Sequence, residues 1–184
     1  LLAVLVINTL GIEQLGLSRS ATSLLSVSLM VGVCLGAVLA ARLTTTSRWT
    51  HVLVPALLGM SVCLAASGGL AIRGGAVLYW PLLLLLLLTG ACGGLFLIPV
   101  TSFLQVRPAP DNRGRTIAAA NFLGFSCMWF SGRLYSLLDP LFSPAWLLVL
   151  LAGGVALSSP VLALVLRHDR AASSQPGTHR EVKS

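Results

Sequence analysis

Apolar residues run along this chain in long blocks, each close to the length of one membrane crossing and separated by short polar gaps. About 20 apolar residues in a helix cross a hydrocarbon core of about 30 Å. On that ruler the blocks predict spans over residues 1–10, 21–43, 52–72, 77–104, 116–138 and 145–166, the first cut short. Ser18-Arg19-Ser20 caps the second span, and Ser143-Pro144 opens the sixth as an N-cap followed by proline at the first helical position. A membrane β-barrel needs segments of about ten residues alternating apolar and polar. Residues 82–88 are an unbroken leucine run and nothing alternates with period two, so the expected class is all-α integral membrane. The expected organisation is a transmembrane bundle over 1–166 and a polar tail or linker over 167–184, rich in Ser, Gln, Pro and Gly.

Composition sharpens this. The 184 residues are 56% hydrophobic and 9% charged, with mean hydropathy +0.92. Soluble domains carry about 25% charged residues, so lipid has to cover much of this surface. A net charge of +7 raises the question of nucleic acid. The arginines form no face or run, however, and sit in the gaps between apolar blocks, which is how loop charges orient a membrane protein. Arg42, Arg48, Arg107, Arg113, Arg115, Arg167, Arg170, Arg180 and Lys183 fall on one side, and Arg19, Arg73 and Arg133 on the other. The richer side is expected to be cytoplasmic, with the C-terminus on it and Tyr79, Trp80, Tyr135 and Trp146 near the outer interface. Leu1 begins inside an apolar run, with no basic region before it, and reads as a fragment cut within a helix.

The polar and small residues inside the spans carry what chemistry there is. Gly32, Gly36 and Ala40 form a small-residue stripe that lets helices approach closely. Gly90, Gly93 and Gly94, followed by Pro99, make the fourth span bendable, with a kink expected at Pro99, and point to a hinge or close-packing region beside a cavity. Thr101, Ser102 and Gln105 near the cytoplasmic end of that span, and Asn121 in the fifth, are candidate substrate contacts or interhelical hydrogen-bonding groups. Arg133 is the charge within a span, placed to snorkel outward, to pair with Asp139 or to meet an anion. Cys34, Cys63, Cys92 and Cys127 are dispersed, no CxxC occurs, and no carboxylate or histidine lies in mid-membrane. These positions supply no metal cluster, proton relay or nucleophile–base pair, so no cofactor is expected and this segment does not read as an enzyme.

Six spans with a cytoplasmic C-terminus resemble the C-terminal half of a major facilitator superfamily transporter, and two stretches carry that likeness. Gly36-Ala37-Val38-Leu39-Ala40-Ala41-Arg42 resembles the second, degenerate copy of the superfamily's loop motif. Residues 93–105, from Gly93-Gly94 through Pro99 to Gln105, are followed by Arg113-Gly114-Arg115 and Ala118-Ala119-Ala120-Asn121-Phe122. This order is similar to the lysophospholipid transporter family, with Thr101 and Ala120 where that family often carries polar residues. The Arg113-Gly114-Arg115 form is nearest to fused members, in which an acyltransferase and an acyl-acyl-carrier-protein synthetase follow the transporter.

The resemblance covers about 16–138. It implies a secondary carrier in the bacterial inner membrane, completed by an N-terminal half preceding Leu1, that moves lysophospholipid by alternating access for reacylation. A drug or metabolite carrier of the same superfamily, and a membrane module of a phospholipid-remodelling acyltransferase, are the competing expectations. The Arg107–Arg115 loop is expected to be cytoplasmic. A cysteine introduced at Asn112 should therefore resist impermeant thiol reagents in intact cells, and ready labelling from outside would reverse the orientation.

Overall fold

A computed structural model describes residues 2–43, 49–73, 79–106 and 112–173. The described residues form six α-helices and no strand: α1 (Leu2–Thr9), α2 (Arg19–Leu43), α3 (Trp49–Arg73), α4 (Tyr79–Val106), α5 (Arg113–Leu138) and α6 (Pro144–Ser173). A π-helical turn, Leu10–Gln14, extends α1. α2, residues 52–73 of α3 and residues 79–102 of α4 are long and apolar enough to cross a membrane. The expected crossing at 116–138 falls on α5, which is more polar and does not meet that criterion. In α6 the apolar part is the shorter Pro144–Pro160.

The ends follow the caps. The Ala21 amide donates to Ser18 Oγ at 3.3 Å, and α6 starts at Pro144 with the Leu147 amide on the Ser143 carbonyl at 3.2 Å. The helix expected to stop at 166 runs on to Ser173. Arg and Ala within 167–173 are good helix formers and extend a helix already nucleated by packing. Residues 174–184 lie outside the described residues. Pro99 lies within α4 and does not end it; Pro55 and Pro160 are likewise internal to α3 and α6. Pro160 deprives the Ala156 carbonyl of its helical donor, and the Ser159 hydroxyl donates to that oxygen at 2.8 Å.

α2 and α4 run parallel and form the closest helix pair. Gly32 and Gly36 of α2 press on the backbone of Leu87 and Ala91, while Gly90 and Gly94 of α4 press on that of Leu29 and Val33. A Cβ at Gly32, Gly36, Gly90 or Gly94 would fall inside hard-sphere contact with the carbonyl oxygen of Leu87, Ala91, Leu29 or Val33 respectively. Ala40 continues the α2 stripe and is fully buried. On its other side α4 meets α3, where Gly59 sits beneath Cys92 Sγ. α3 then packs on α6, where Gly68 abuts Ala145 and Val149. α5 is the outlier: no residue in it is buried, and it touches mainly α1 and α4.

Each glycine in the α2–α4 crossing faces a rigid backbone, so an added methyl can be accommodated only by separating the helices. Gly36→Ala and Gly90→Ala should each destabilise the bundle by about 1–3 kcal/mol. Gly153→Ala, at a site with open space around it, should be neutral or slightly stabilising. Thermal unfolding of the detergent-solubilised variants checks the ranking.

Candidate functional site

The helices surround a cavity of about 300 Å³. Every helix contributes to its wall: α1 through Ala3, α2 through Val33, α3 through Met60, α4 through Thr89, α5 through Ser131 and α6 through Val155. Among the described residues no charged side chain lines it. The two hydroxyl-bearing wall residues are Thr89 and Ser131, and the Thr89 hydroxyl donates to the Leu85 carbonyl of its own helix at 2.8 Å. Gly90 and Gly93 form part of the wall, and the missing side chain of Gly93 leaves the space open. A Cβ on Gly93 would meet only Met60 Sδ, at 3.7 Å. The adjacent glycines are therefore different in kind, Gly94 packed against α2 and Gly93 open to the cavity. Met60, with its unbranched and polarisable side chain, can reshape the wall as contents change.

Polar bonds between elements gather at the end of the bundle where α2 and α4 begin. The Tyr79 hydroxyl donates to the Ala21 carbonyl at 3.2 Å, and Ser28 Oγ to Leu83 O at 3.2 Å. Ser26 Oγ donates to Asn8 Oδ1 at 3.2 Å. Gln14, in the π-turn, donates to Ala71 O at 3.4 Å and accepts from the Ala145 amide at 3.2 Å, tying α3 to α6. Thr9 Oγ1 and the Tyr135 hydroxyl are hydrogen-bonded and join α1 to α5. Thr9 Oγ1 also lies 3.1 Å from Leu5 O, and either hydroxyl can donate in this pair. Asp139 stands beside the same phenol, with Glu13 within electrostatic reach.

Of the residues named from sequence, Gly90 and Gly93 line this cavity, and Thr101, Ser102, Asn121 and Arg133 do not. Thr101 is half-buried and its hydroxyl donates to Leu97 O and Ile98 O at 3.0 Å each, while Ser102 is exposed. The side chain of Gln105 and all of Arg107 lie outside the described residues. Asn121, Arg113, Gly114 and Arg115 are exposed on α5. Arg133 is exposed too, and among the described residues it makes no ion pair; Asp139 turns to Tyr135 instead. Six residues of helix carry a side chain about 240° round the axis, so Arg133 and Asp139 leave α5 on different faces.

Thr89 and Ser131 were not among the sequence candidates. Thr89 is the polar residue that ends the leucine run, and that interruption was the available signal. Among the described residues no three His, Cys, Asp or Glu side chains gather to hold a metal ion, and all four cysteines are free. The lining is apolar apart from the two hydroxyls, which suits an apolar or amphipathic molecule.

No family model, curated protein or solved structure matches the chain.

The Thr9–Tyr135 bond is the one side-chain hydrogen bond from α5 to another helix among the described residues. Tyr135→Phe should cost about 1 kcal/mol and raise backbone amide exchange in α5 while leaving α2 and α4 protected. Uniform loss of protection across the bundle would show that the bond is not local to α5.

Proposed function

We propose that the chain is the C-terminal six-helix half of a secondary membrane carrier of the major facilitator superfamily type, and that it moves a small amphipathic substrate of the lysophospholipid class by alternating access. The observation that supports this reading is the cavity of about 300 Å³ to which all six helices contribute and which no charged side chain lines among the described residues. A pocket of that size is at the lower end of those that hold small ligands. Its apolar wall suits hydrocarbon, and a headgroup would have to find its partners beyond it. Ser102 on α4 and Asn121 on α5 are exposed towards the expected cytoplasmic end, where an N-terminal half would complete the site. In this reading the membrane is the bacterial inner membrane, the C-terminus is cytoplasmic, and the lysophospholipid is delivered for reacylation.

The outer end is held by side-chain hydrogen bonds and the middle by glycine packing. Polar ties of this kind can break and reform within a transport cycle, while the α2–α4 contact moves as one body.

The test is uptake of labelled lysophospholipid by cells expressing the full-length protein. Gly93→Leu fills the cavity at a position that admits a side chain, so it should cut uptake by about tenfold or more at normal surface level, the effect of about 1.4 kcal/mol. Gly94→Leu should instead lower the surface level, because its side chain meets the Val33 carbonyl and the Ala37 amide nitrogen of α2. Wild-type uptake with Gly93→Leu would remove the cavity from the transport path. Uptake of drugs but not of lysophospholipid would favour a carrier of another substrate class.

A further inference from the structure

Two cysteines and a methionine meet along the seam between α3 and α4. Cys92 of α4 lays its Sγ over Gly59 of α3, where a Cβ would come within 2.9 Å of it. Cys63 follows Gly59 by about one helical turn, and a helical side chain leans back over the turn before its own Cα. The Cys63 thiol is thereby turned towards the Cys92 thiol, and the two lie within electrostatic reach of each other. Met60 crosses the seam in the other direction, its Sδ 3.7 Å from where a Cβ on Gly93 would stand. Glycines at 59 and 93 thus leave room for a sulfur from the facing helix. Both thiols are free and half-buried.

We propose that Cys63, Cys92 and Met60 form a binding site for one soft monovalent cation of the copper(I) class. The assignment does not depend on what the central cavity carries. Thiolate and thioether sulfur select copper(I) over hard cations. No Asp, Glu, His, Lys or Arg occurs in residues 52–72 or 79–106, so sulfur supplies the metal-binding side chains of these two segments.

Charge restricts the ion further, because an unbalanced charge among apolar helices is costly. Copper(I) that displaces one thiol proton leaves the site neutral. One S–H bond breaks, one copper–thiolate bond forms, and the proton goes to solvent. The second thiol and the thioether coordinate through sulfur lone pairs, and no electron is transferred. Zinc prefers four donors, one more than this sulfur set supplies. Met60 also lines the central cavity, so an ion arriving there meets the thioether first. An ion bonded to both helices ties α3 to α4 and favours the folded bundle.

The test uses the reduced full-length protein in detergent, loaded with copper(I) without oxygen from a chelator of known affinity. Bound copper is counted after desalting. The wild type should hold one more copper per chain than Cys63→Ala, and one more than Cys92→Ala. Cys34→Ala and Cys127→Ala remove exposed thiols elsewhere and should hold as many as the wild type. Met60→Leu conserves side-chain volume, so it keeps the fold; it should surrender the ion at a lower chelator concentration. Copper(I) should also raise the unfolding temperature of the wild type and not that of Cys63→Ala or Cys92→Ala, and the same transition shows that each variant has folded. Equal copper in the wild type and both cysteine variants would overturn the site, and so would a Met60→Leu protein that retains copper as the wild type does.

Discussion

The rest of the bundle is arranged around the contact between α2 and α4. In hydrocarbon, helices gain little from burying apolar side chains against one another, because lipid tails are equally apolar. Association then depends on dispersion at short range, and that requires backbones to approach. Gly32 and Gly36 on one helix and Gly90 and Gly94 on the other make the approach possible, each set admitting the backbone of the other. Once this pair is fixed, α4 offers its opposite flank to α3, and α3 offers Gly68 to the start of α6. The same four-residue spacing sets the register, since the Gly90–Gly94 row meets α2 only where Leu29 and Val33 present their carbonyls. α5, with Gly124 and Gly132 in open space, has no such contact and stays at the edge.

Polar groups in these helices are settled by two routes with different consequences. Ser67, Thr89, Thr101 and Ser126 donate to carbonyls one turn back in their own helices, which satisfies the hydroxyl and commits it to no neighbour. Asn8, Gln14, Ser28, Tyr79 and Tyr135 reach other helices, and all of these lie towards one end. That end is therefore tied by directional bonds, whereas the middle is held by shape. At that end the π-turn of α1 places Gln14 between α3 and α6.

Much of the fold was legible because it is written in local terms. Block length predicts where the six helices lie to within a few residues at most ends, and Ser18 and Ser143-Pro144 mark two starts. The far end of α6 was not legible, since composition at 167–173 reports polarity and not the packing that carries the helix onward. The site was much less visible. Sequence reasoning weights polar residues in spans, and of those it selected, Thr101, Ser102, Asn121 and Arg133 do not line the cavity, Gln105 has its side chain outside the described residues, and Gly90 and Gly93 of the expected hinge do line it. The wall is made mostly of apolar side chains whose neighbours look alike in sequence: Val33 lines the cavity, while Val31 and Val38 face outward. The glycine pair shows the same limit, because Gly93 and Gly94 are adjacent in sequence and point 100° apart on an ideal helix.

An uncharged cavity also constrains how selectivity could arise. Sealed and empty, a void of about 300 Å³ would cost on the order of 7 kcal/mol at the increment measured for core cavities, comparable with the whole net stability of a domain. The space is open, so whatever enters it recovers contacts with a wall that is already formed. Apolar molecules of suitable width gain from entering, and the wall distinguishes poorly among them, since methylene-sized differences are worth only about 1–3 kcal/mol. Sharper discrimination needs buried polar groups that are left unpaired by the wrong ligand. Thr89 already donates to its own backbone, which leaves Ser131 as the other hydroxyl in the wall. Discrimination would thus fall to Ser131 and to polar residues outside the cavity, on the exposed faces of α4 and α5, and those faces acquire a defined geometry only when something packs against them.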